Sequence, residues 1–247
     1  MQYLNLERMR QVDPETFRAR RPFPWTNVQG LISDDRFLQL CDTLPDISVF
    51  ARHSSRTGGY GDLHALQYWP GLEIAQPWRD FIAELQQGEY QDFLRRLFGL
   101  SPRQRIELTM HWHFEGPDFS ISPHVDARRK MGSHIFYLNR EADWDPRWGG
   151  QTLVLDDGGR FPATARPGFE DLQQVAASEI LGNQSFIFQR NEHSWHGVRP
   201  LECPPGRLRK VFIVVVNRIN LQVLWRRLRG KDPDGYPRHR EPAARPQ

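Results

Sequence analysis

The sequence predicts a mainly β fold with flanking α-helices, arranged as a sandwich or jelly roll, on two observations. From about residue 101 to 220, short apolar runs alternate with turns rich in Gly, Pro and Asp, a spacing typical of antiparallel sandwiches and barrels. The first hundred residues instead show apolar residues at helical spacing. We therefore expect a helical N-terminal part followed by a β core.

Three helices are predicted in the N-terminal part, after an entry strand at 27–32. The first begins after Ser33, a residue type favoured at helix N-caps, and ends before Pro45. The other two cover about 77–85 and 90–98, where apolar residues recur every three or four positions. Their apolar side chains are expected in the core.

The strands of the β core follow a polar segment at 127–132, which is predicted to be a loop. Each is a short run rich in β-branched and aromatic residues, bounded by turn residues. The predicted strands are 134–139, 151–155, 185–189 and 211–216.

Two histidines and one aspartate form the most informative pattern. His124 and Asp126 are two positions apart, so on a strand their side chains point to the same face. His196, in the run SWHGV, supplies a second imidazole. Two nitrogens and one carboxylate oxygen on one face of a metal suit Fe(II) with open coordination positions. The alternative is a solvated loop pair at 124 and 126.

Five segments in order along the chain resemble the Fe(II)/2-oxoglutarate-dependent oxygenases, particularly their prolyl-hydroxylase-like branch. They are HVD, FYLN with DWD nearby, WGGQTLVL, SFIFQRNEHSWHGV and GRLRKVFIVVVN. The resemblance covers about 107–217, somewhat under half of the chain. It implies a double-stranded β-helix (a jelly-roll, cupin-like barrel) with the metal at its open end and with the N-terminal helices buttressing one face of the barrel. It also implies Fe(II) as cofactor, 2-oxoglutarate and O2 as co-substrates, and succinate and CO2 as products.

The resemblance also implies the role of individual residues. His124, Asp126 and His196 match the metal ligands of the family. His193 is the rival for the last position, but the family pattern has the ligand directly before Gly-Val, which favours His196. Asp126 keeps the carboxylate that related halogenases replace by a small residue, so hydroxylation is favoured over halogenation.

The far carboxylate of the co-substrate requires a cation, and the planar guanidinium of arginine binds a carboxylate through two hydrogen bonds. In the resembling family a basic residue opens the strand after the last metal ligand. Arg207 and Arg209 are both candidates on one face of this predicted strand, and the count back from the strand end favours Arg209. Tyr137 matches a tyrosine that binds the same carboxylate in the prolyl-hydroxylase-like branch, the alternative being a core aromatic with a satisfied hydroxyl. Phe114 lies where the branch often has another tyrosine.

Other residues are candidates for substrate contacts. Arg128 and Arg129 follow the ligand pair and would meet an anionic group of a substrate near the mouth, or simply lie on the surface. His111 and His113 share one face of a strand and are predicted to be pocket or structural residues. The glycine-rich segment 52–62 is either a plain surface loop or a mobile flap.

Three functions are compatible with these features. The first is hydroxylation of an unactivated C–H bond in a small molecule, such as an amino acid or a natural-product intermediate. The second keeps the chemistry but uses a prolyl residue of a peptide or protein. The third, from another class, is a jelly-roll module that binds a metal or a sugar without catalysis. The oligomeric state is left open.

The composition limits the partners. The 247 residues and the single detectable core predict one oxygenase domain at 1–224, helical to about 100 and a jelly roll from about 101 to 220. A basic, Pro-rich tail at 225–247 carries much of the excess charge and is predicted to be flexible. The tail has only two aromatic residues that would stack on bases, so nucleic acid is not an expected partner.

The cellular location is expected to be cytoplasmic. The N-terminal residues lack the apolar region of a secretory signal. No run approaches the roughly 20 apolar residues that span a bilayer, so no membrane partner is expected. The two cysteines, Cys41 and Cys203, are too few for a disulfide framework.

Overall fold

The computed structural model of the protein describes residues 2–53 and 59–219. It contains two antiparallel β-sheets packed face to face, and helices cover the outer face of the larger sheet. The predicted mainly β fold with flanking helices is confirmed. The tail at 225–247 and positions 54–58 of the glycine-rich segment lie outside the described residues.

Five α-helices lie within the described residues, and three of them match the predictions. They are α1 (Leu6–Gln11), α2 (Pro14–Ala19), α3 (Asp34–Asp42), α4 (Gln76–Leu85) and α5 (Gly88–Leu97). Ser33 occupies the N-cap of α3 in an extended conformation, but its side chain makes no capping bond there. Sequence analysis missed α1 and α2 because six residues are too few to show helical periodicity. Their caps are local: Asn5 accepts from the amide of Arg8, and Asp13 precedes a proline.

Twelve strands form the two sheets among the described residues. They are β1 (Trp25–Gln29), β2 (Ala51–His53), β3 (Gly59–Tyr60), β4 (Leu63–Gln67), β5 (Ile106–Glu115), β6 (Ser120–His124), β7 (Lys130–Tyr137), β8 (Leu153–Asp156), β9 (Gln173–Ala177), β10 (Gln184–Gln189), β11 (His196–Val198) and β12 (Arg209–Arg218). The larger sheet has the order β1-β10-β7-β12-β5-β4-β2, and the smaller has the order β3-β6-β11-β8-β9.

One loop prediction was wrong. Residues 130–132 were assigned to a polar loop, but they form the start of β7, where Lys130 pairs with Asn217 of β12 next to a register shift that leaves Met131 as an extra residue in β7. The charged Lys130 at the start of the strand interrupts the run of apolar residues by which strands are recognised. The Lys130 side chain is only about a fifth exposed. This burial is tolerated because its ammonium group is paired with the buried carboxylate of Asp126.

The two faces of β12 explain its unbroken apolar run. Val211 and Ile213 face the space between the sheets, whereas Phe212, Val214 and Val216 pack against the helices. A strand buried on both faces loses the apolar–polar alternation of a half-exposed strand. The run therefore marks the centre of the larger sheet.

The helices bury the outer face of this sheet through aromatic contacts. The fully buried Trp78 of α4 lies with its ring centroid 5.1 Å from Trp112 and 5.0 Å from Phe212. Its indole N–H donates to the carbonyl of Leu40 over 3.1 Å, which satisfies its only polar group. The expectation that the helical apolar residues belong to the core is confirmed.

No helix among the described residues combines the length and apolar character needed to cross a membrane.

His134 on β7 predicts a pH-dependent stability. Its ring faces the helices, is completely buried, and bonds through Nδ1 to the Tyr90 hydroxyl over 2.9 Å. Burial lowers the pKa of His134 to about 3. Because the unfolded chain binds a proton near its ordinary pKa of about 6.5, stability is full above that pH and falls as the pH drops.

We expect this one group to reduce the free energy of unfolding by up to about 2 kcal/mol between about pH 7 and pH 5. Urea denaturation across this range measures the effect. The variant His134→Phe, which cannot take up a proton, should show a shallower decline, and equal slopes for the two proteins would contradict the assignment.

Candidate metal centre

The pairing of β6 with β11 brings the three predicted ligands together. His124 ends β6 and lies opposite His196, the first residue of β11, and Asp126 follows His124 by two residues. The ligand atoms of all three side chains lie within 4.8 Å of one another. The two imidazole ring centroids are 4.3 Å apart. A single ion can therefore contact all three.

Backbone carbonyls orient both imidazoles. Nδ1 of His124 lies 3.0 Å from the carbonyl of Ser122, and Nδ1 of His196 lies 2.8 Å from that of Ser194. A carbonyl can only accept, so each Nδ1 carries the proton and each Nε2 presents a lone pair. Burial, followed by the nearby His124, lowers the pKa of His196 to about 4. The ligand is thus neutral near pH 7, as metal binding requires.

The carboxylate of Asp126 is buried but compensated. Lys130 Nζ donates to its Oδ1 over 2.7 Å. Burial by itself raises the pKa of Asp126, but Lys130 and the two histidines together lower it by more than burial raises it. The pKa therefore lies well below its ordinary value. The group is therefore an anion over the physiological pH range. Sequence analysis missed Lys130, although its position four residues after Asp126 was a possible signal.

Arg190 joins the two segments that carry the ligands. Its Nε donates over 3.1 Å to the backbone carbonyl of Asp126, and its Nη atoms bind both carboxylate oxygens of Glu192. It lies between the end of β10 and His196, so it ties the segment before that ligand to the aspartate. Nothing in the sequence pattern distinguished this arginine from its neighbours.

The structure separates the two candidate arginines. Arg209 is the first residue of β12, is 3% exposed and faces the space between the sheets. Its Nε donates over 2.6 Å to the carbonyl of Gly150, and its Nη1 pairs with Glu115. Gly150 must remain a glycine, since its φ is +97° and a Cβ would lie 2.9 Å from Cδ of Arg209. Arg207 is exposed in the turn before the strand, so the prediction that both share a strand face was wrong.

Tyr137 lies beside Arg209, whose guanidinium carbon is 5.4 Å from the centre of the ring. The hydroxyl is buried between Thr152 and Ser178, at 2.8 and 2.7 Å. Tyr137 thus lies next to Arg209, and its hydroxyl is hydrogen-bonded within the protein, as expected for a core aromatic residue.

The remaining candidates have distinct surroundings. His193 is half exposed and lies 3.2 Å from Asp157, so it does not join the three clustered ligands. Arg128 is exposed, with Nε 3.6 Å from Glu192. The carbonyl of Arg129 accepts from the amide of Arg218, and its side chain is partly buried.

Phe114, at the position where the resembling branch often has a tyrosine, faces away from the space between the sheets. Its ring stacks on Phe50 at 4.4 Å and belongs to the core beneath the helices. Successive strand residues face opposite sides. The positions that face the interior are therefore those of His113 and Glu115, which lie 3.6 Å apart.

Comparison with known proteins agrees with this geometry. Residues 108–215 match the sequence profile of the 2OG-Fe(II) oxygenase superfamily. No curated protein matches the chain. Three similar solved structures share the fold. A prolyl-4-hydroxylase from Pseudomonas putida is 16% identical, with a TM-score of 0.56, over 83% of this chain and 98% of that one.

A prolyl hydroxylase from Trichoplax adhaerens, in complex with a hypoxia-inducible-factor peptide, is 12% identical, with a TM-score of 0.61, over 86% of this chain and 90% of that one. The α-ketoglutarate-dependent carbocyclase SnoK of nogalamycin biosynthesis is also 12% identical, with a TM-score of 0.58, over 94% and 96%. The expected resemblance to Fe(II)/2-oxoglutarate oxygenases, and to their prolyl-hydroxylase-like branch, is therefore confirmed.

Arg190 provides a test of how the metal centre is held together. We expect Arg190→Ala to weaken Fe(II) binding by about 10- to 100-fold, since groups that orient ligands typically contribute this much. Anaerobic Fe(II) titration measures the affinity. Arg128→Ala is the matched control, because Arg128 contacts the same Glu192 but makes no bond to Asp126. Equal affinities for the two variants would contradict the role of Arg190.

Proposed function

We propose, from the match of residues 108–215 to the 2OG-Fe(II) oxygenase superfamily, that this protein is an Fe(II)- and 2-oxoglutarate-dependent dioxygenase. The proposed reaction hydroxylates an unactivated C–H bond of a small molecule and releases succinate and CO2. The observation that carries the proposal is the cluster of His124, Asp126 and His196 with an intact carboxylate. That carboxylate supports hydroxylation rather than halogenation.

The three clustered side chains would hold Fe(II). Both histidines present an unprotonated Nε2, and the anionic Asp126 offsets part of the metal charge. This donor set leaves positions on the ion for other molecules. Once bound with 2-oxoglutarate and O2, the metal supplies the oxidising chemistry that cleaves a C–H bond. The protein contributes the orientation of the ligands through Ser122, Ser194 and Lys130.

Arg209 would bind the far carboxylate of 2-oxoglutarate. Its Nε and Nη1 are engaged by Gly150 and Glu115, and its Nη2 carries two further N–H groups. Burial in the barrel strengthens the attraction between this cation and an arriving carboxylate. Tyr137 lies beside the same guanidinium and would contact the same end of the co-substrate.

The domain organisation remains part of the proposal. Residues 1–224 would form one oxygenase domain, which is supported by a continuous core shared by the helices and β5, β7, β10 and β12. That the tail at 225–247 is flexible and that the location is cytoplasmic stay predictions.

A small molecule is the proposed substrate class, and the similarity to a carbocyclase over 94% of this chain supports it. The similarity to two prolyl hydroxylases supports a peptide as the second candidate. A non-enzymatic binding module is disfavoured by the superfamily match. A screen for succinate release over amino acids, peptides and natural-product precursors separates the first two, with mass spectrometry to detect the gain of one oxygen.

The metal-ligand assignment predicts an optical signature. Anaerobic addition of Fe(II) and 2-oxoglutarate should produce a weak visible charge-transfer band, as the family resemblance implies. Asp126→Ala and His196→Ala should abolish both the band and succinate release, because each removes a ligand. His193→Ala should retain both, since His193 pairs with Asp157 outside the cluster. Bound iron without a band would rule out the proposed function.

The two arginines give a second matched pair of variants. Arg209→Ala should weaken 2-oxoglutarate binding by about 30-fold or more, as expected from about 2 kcal/mol or more for removing a buried charged partner. Arg207→Ala should leave binding unchanged, because Arg207 is exposed. Anaerobic titration calorimetry measures both affinities, and circular dichroism checks that each variant is folded. Equal losses in the two variants would argue against Arg209 as the anchor.

A further inference from the structure

One wall of the space between the sheets is polar. It is formed by alternate residues of β5, whose intervening residues Trp112 and Phe114 face the helices. His111 and His113 stack with ring centroids 4.9 Å apart, and Glu115 follows on the same side. A buried wall of titratable groups is costly in a β core unless each group has a partner or a function.

Glu115 is the residue on this wall that meets the proposed anchor. It lies directly opposite Arg209 in the register of β5 and β12, and it is completely buried. Its Oε2 pairs with Nη1 of Arg209. Burial alone raises the pKa of Glu115, but Arg209 and then His113 lower it, and the net shift is downward. Glu115 is therefore an anion while the anchor has no other partner.

The second oxygen of the Glu115 carboxylate, Oε1, is buried without a hydrogen bond from the described part of the chain. Nδ1 of His113 lies 3.6 Å away, too far for a hydrogen bond. A proton on this carboxylate would give Oε1 an O–H group that can donate towards its surroundings with little movement.

Co-substrate binding changes the charge balance at this point. The far carboxylate of 2-oxoglutarate would bring a second anion to a guanidinium that already carries one. Two buried carboxylates that share one cation repel each other, which raises the pKa of the group that can be protonated. The compensating proton is expected on Oε1 of Glu115, the buried oxygen that does not contact Arg209.

We propose that Glu115 takes up one proton from solvent when 2-oxoglutarate binds, which makes it a recognition residue for the far carboxylate. The inference rests on the proposed function, in particular on Arg209 as the anchor. Uptake on binding means that the affinity rises as the pH falls, with Kd changing by up to about tenfold per pH unit.

The other charged or titratable groups nearby have partners of their own. Tyr137 on β7 bonds to Thr152 and Ser178. On the neighbouring strand β4, His64 lies 3.3 Å from Asp62. Arginine does not lose its proton in proteins. Burial, followed by the stacked His113, holds the pKa of His111 well below its ordinary value. Among the described residues, the Glu115 carboxylate is thus the group paired with the anchor that can gain a proton.

Titration calorimetry of the Fe(II)-loaded protein under anaerobic conditions tests the inference. In buffers with different enthalpies of protonation, 2-oxoglutarate should bind with an uptake approaching one proton. The matched ligand is 2-oxopentanoate, which has the same keto acid end but lacks the far carboxylate, so it should bind without proton uptake. This comparison uses the unaltered protein and does not depend on the folding of a variant.

Glu115→Gln keeps the shape of the side chain but removes its charge. We expect the proton uptake to vanish and the affinity for 2-oxoglutarate to become independent of pH. Glu107→Gln, on the same face of β5 but at its other end, should retain the uptake of the unaltered protein.

Binding of 2-oxoglutarate without proton uptake, or equal uptake with 2-oxopentanoate, would overturn the inference and leave the proposed function intact. Absence of both binding heat and the visible band with 2-oxoglutarate would instead refute the proposed function itself.

Discussion

The pairing of β12 with β5 on one side and β7 on the other is the interaction on which the rest of the structure depends. One face of β12 supplies Phe212 and Val214 to the core beneath the helices. The other face holds Arg209 at one end of the interior. Because side chains alternate across a strand, this single element sets the helical layer and the interior cation at the same time. A slip of one residue would exchange the two faces and bury the wrong side chains.

The charged groups buried between the sheets are held in ion pairs. Arg209 is paired with Glu115, and Asp126 is paired with Lys130. Desolvation of an isolated charge would cost several kcal/mol, which is a large part of the total free energy of unfolding of a small domain. Each buried ion therefore depends on its partner. Such pairs also keep charged groups in place before any ligand arrives, which lowers the reorganisation needed for binding. The same two ion pairs therefore stabilise the fold and position the groups of the proposed active site.

Much of this arrangement could be predicted from local sequence. The helices at α3, α4 and α5, the long strands, and the cluster of His124, Asp126 and His196 follow from periodicity, spacing and resemblance to a family. The missed features have a common character. Lys130 was hidden in a segment that looked like a loop, and Arg190 had no distinguishing pattern.

The sequence by itself determined the elements and the ligand types, because the i, i+2 alternation of a strand and the apolar stripe of a helix are local properties. Only the tertiary structure decided that Arg209 is buried and Arg207 exposed, and that Glu115 faces the arginine. These outcomes depend on where β12 begins and on its register with β5, across almost a hundred intervening residues. Register is set by the combined burial of several strands, so no short stretch of sequence contains it.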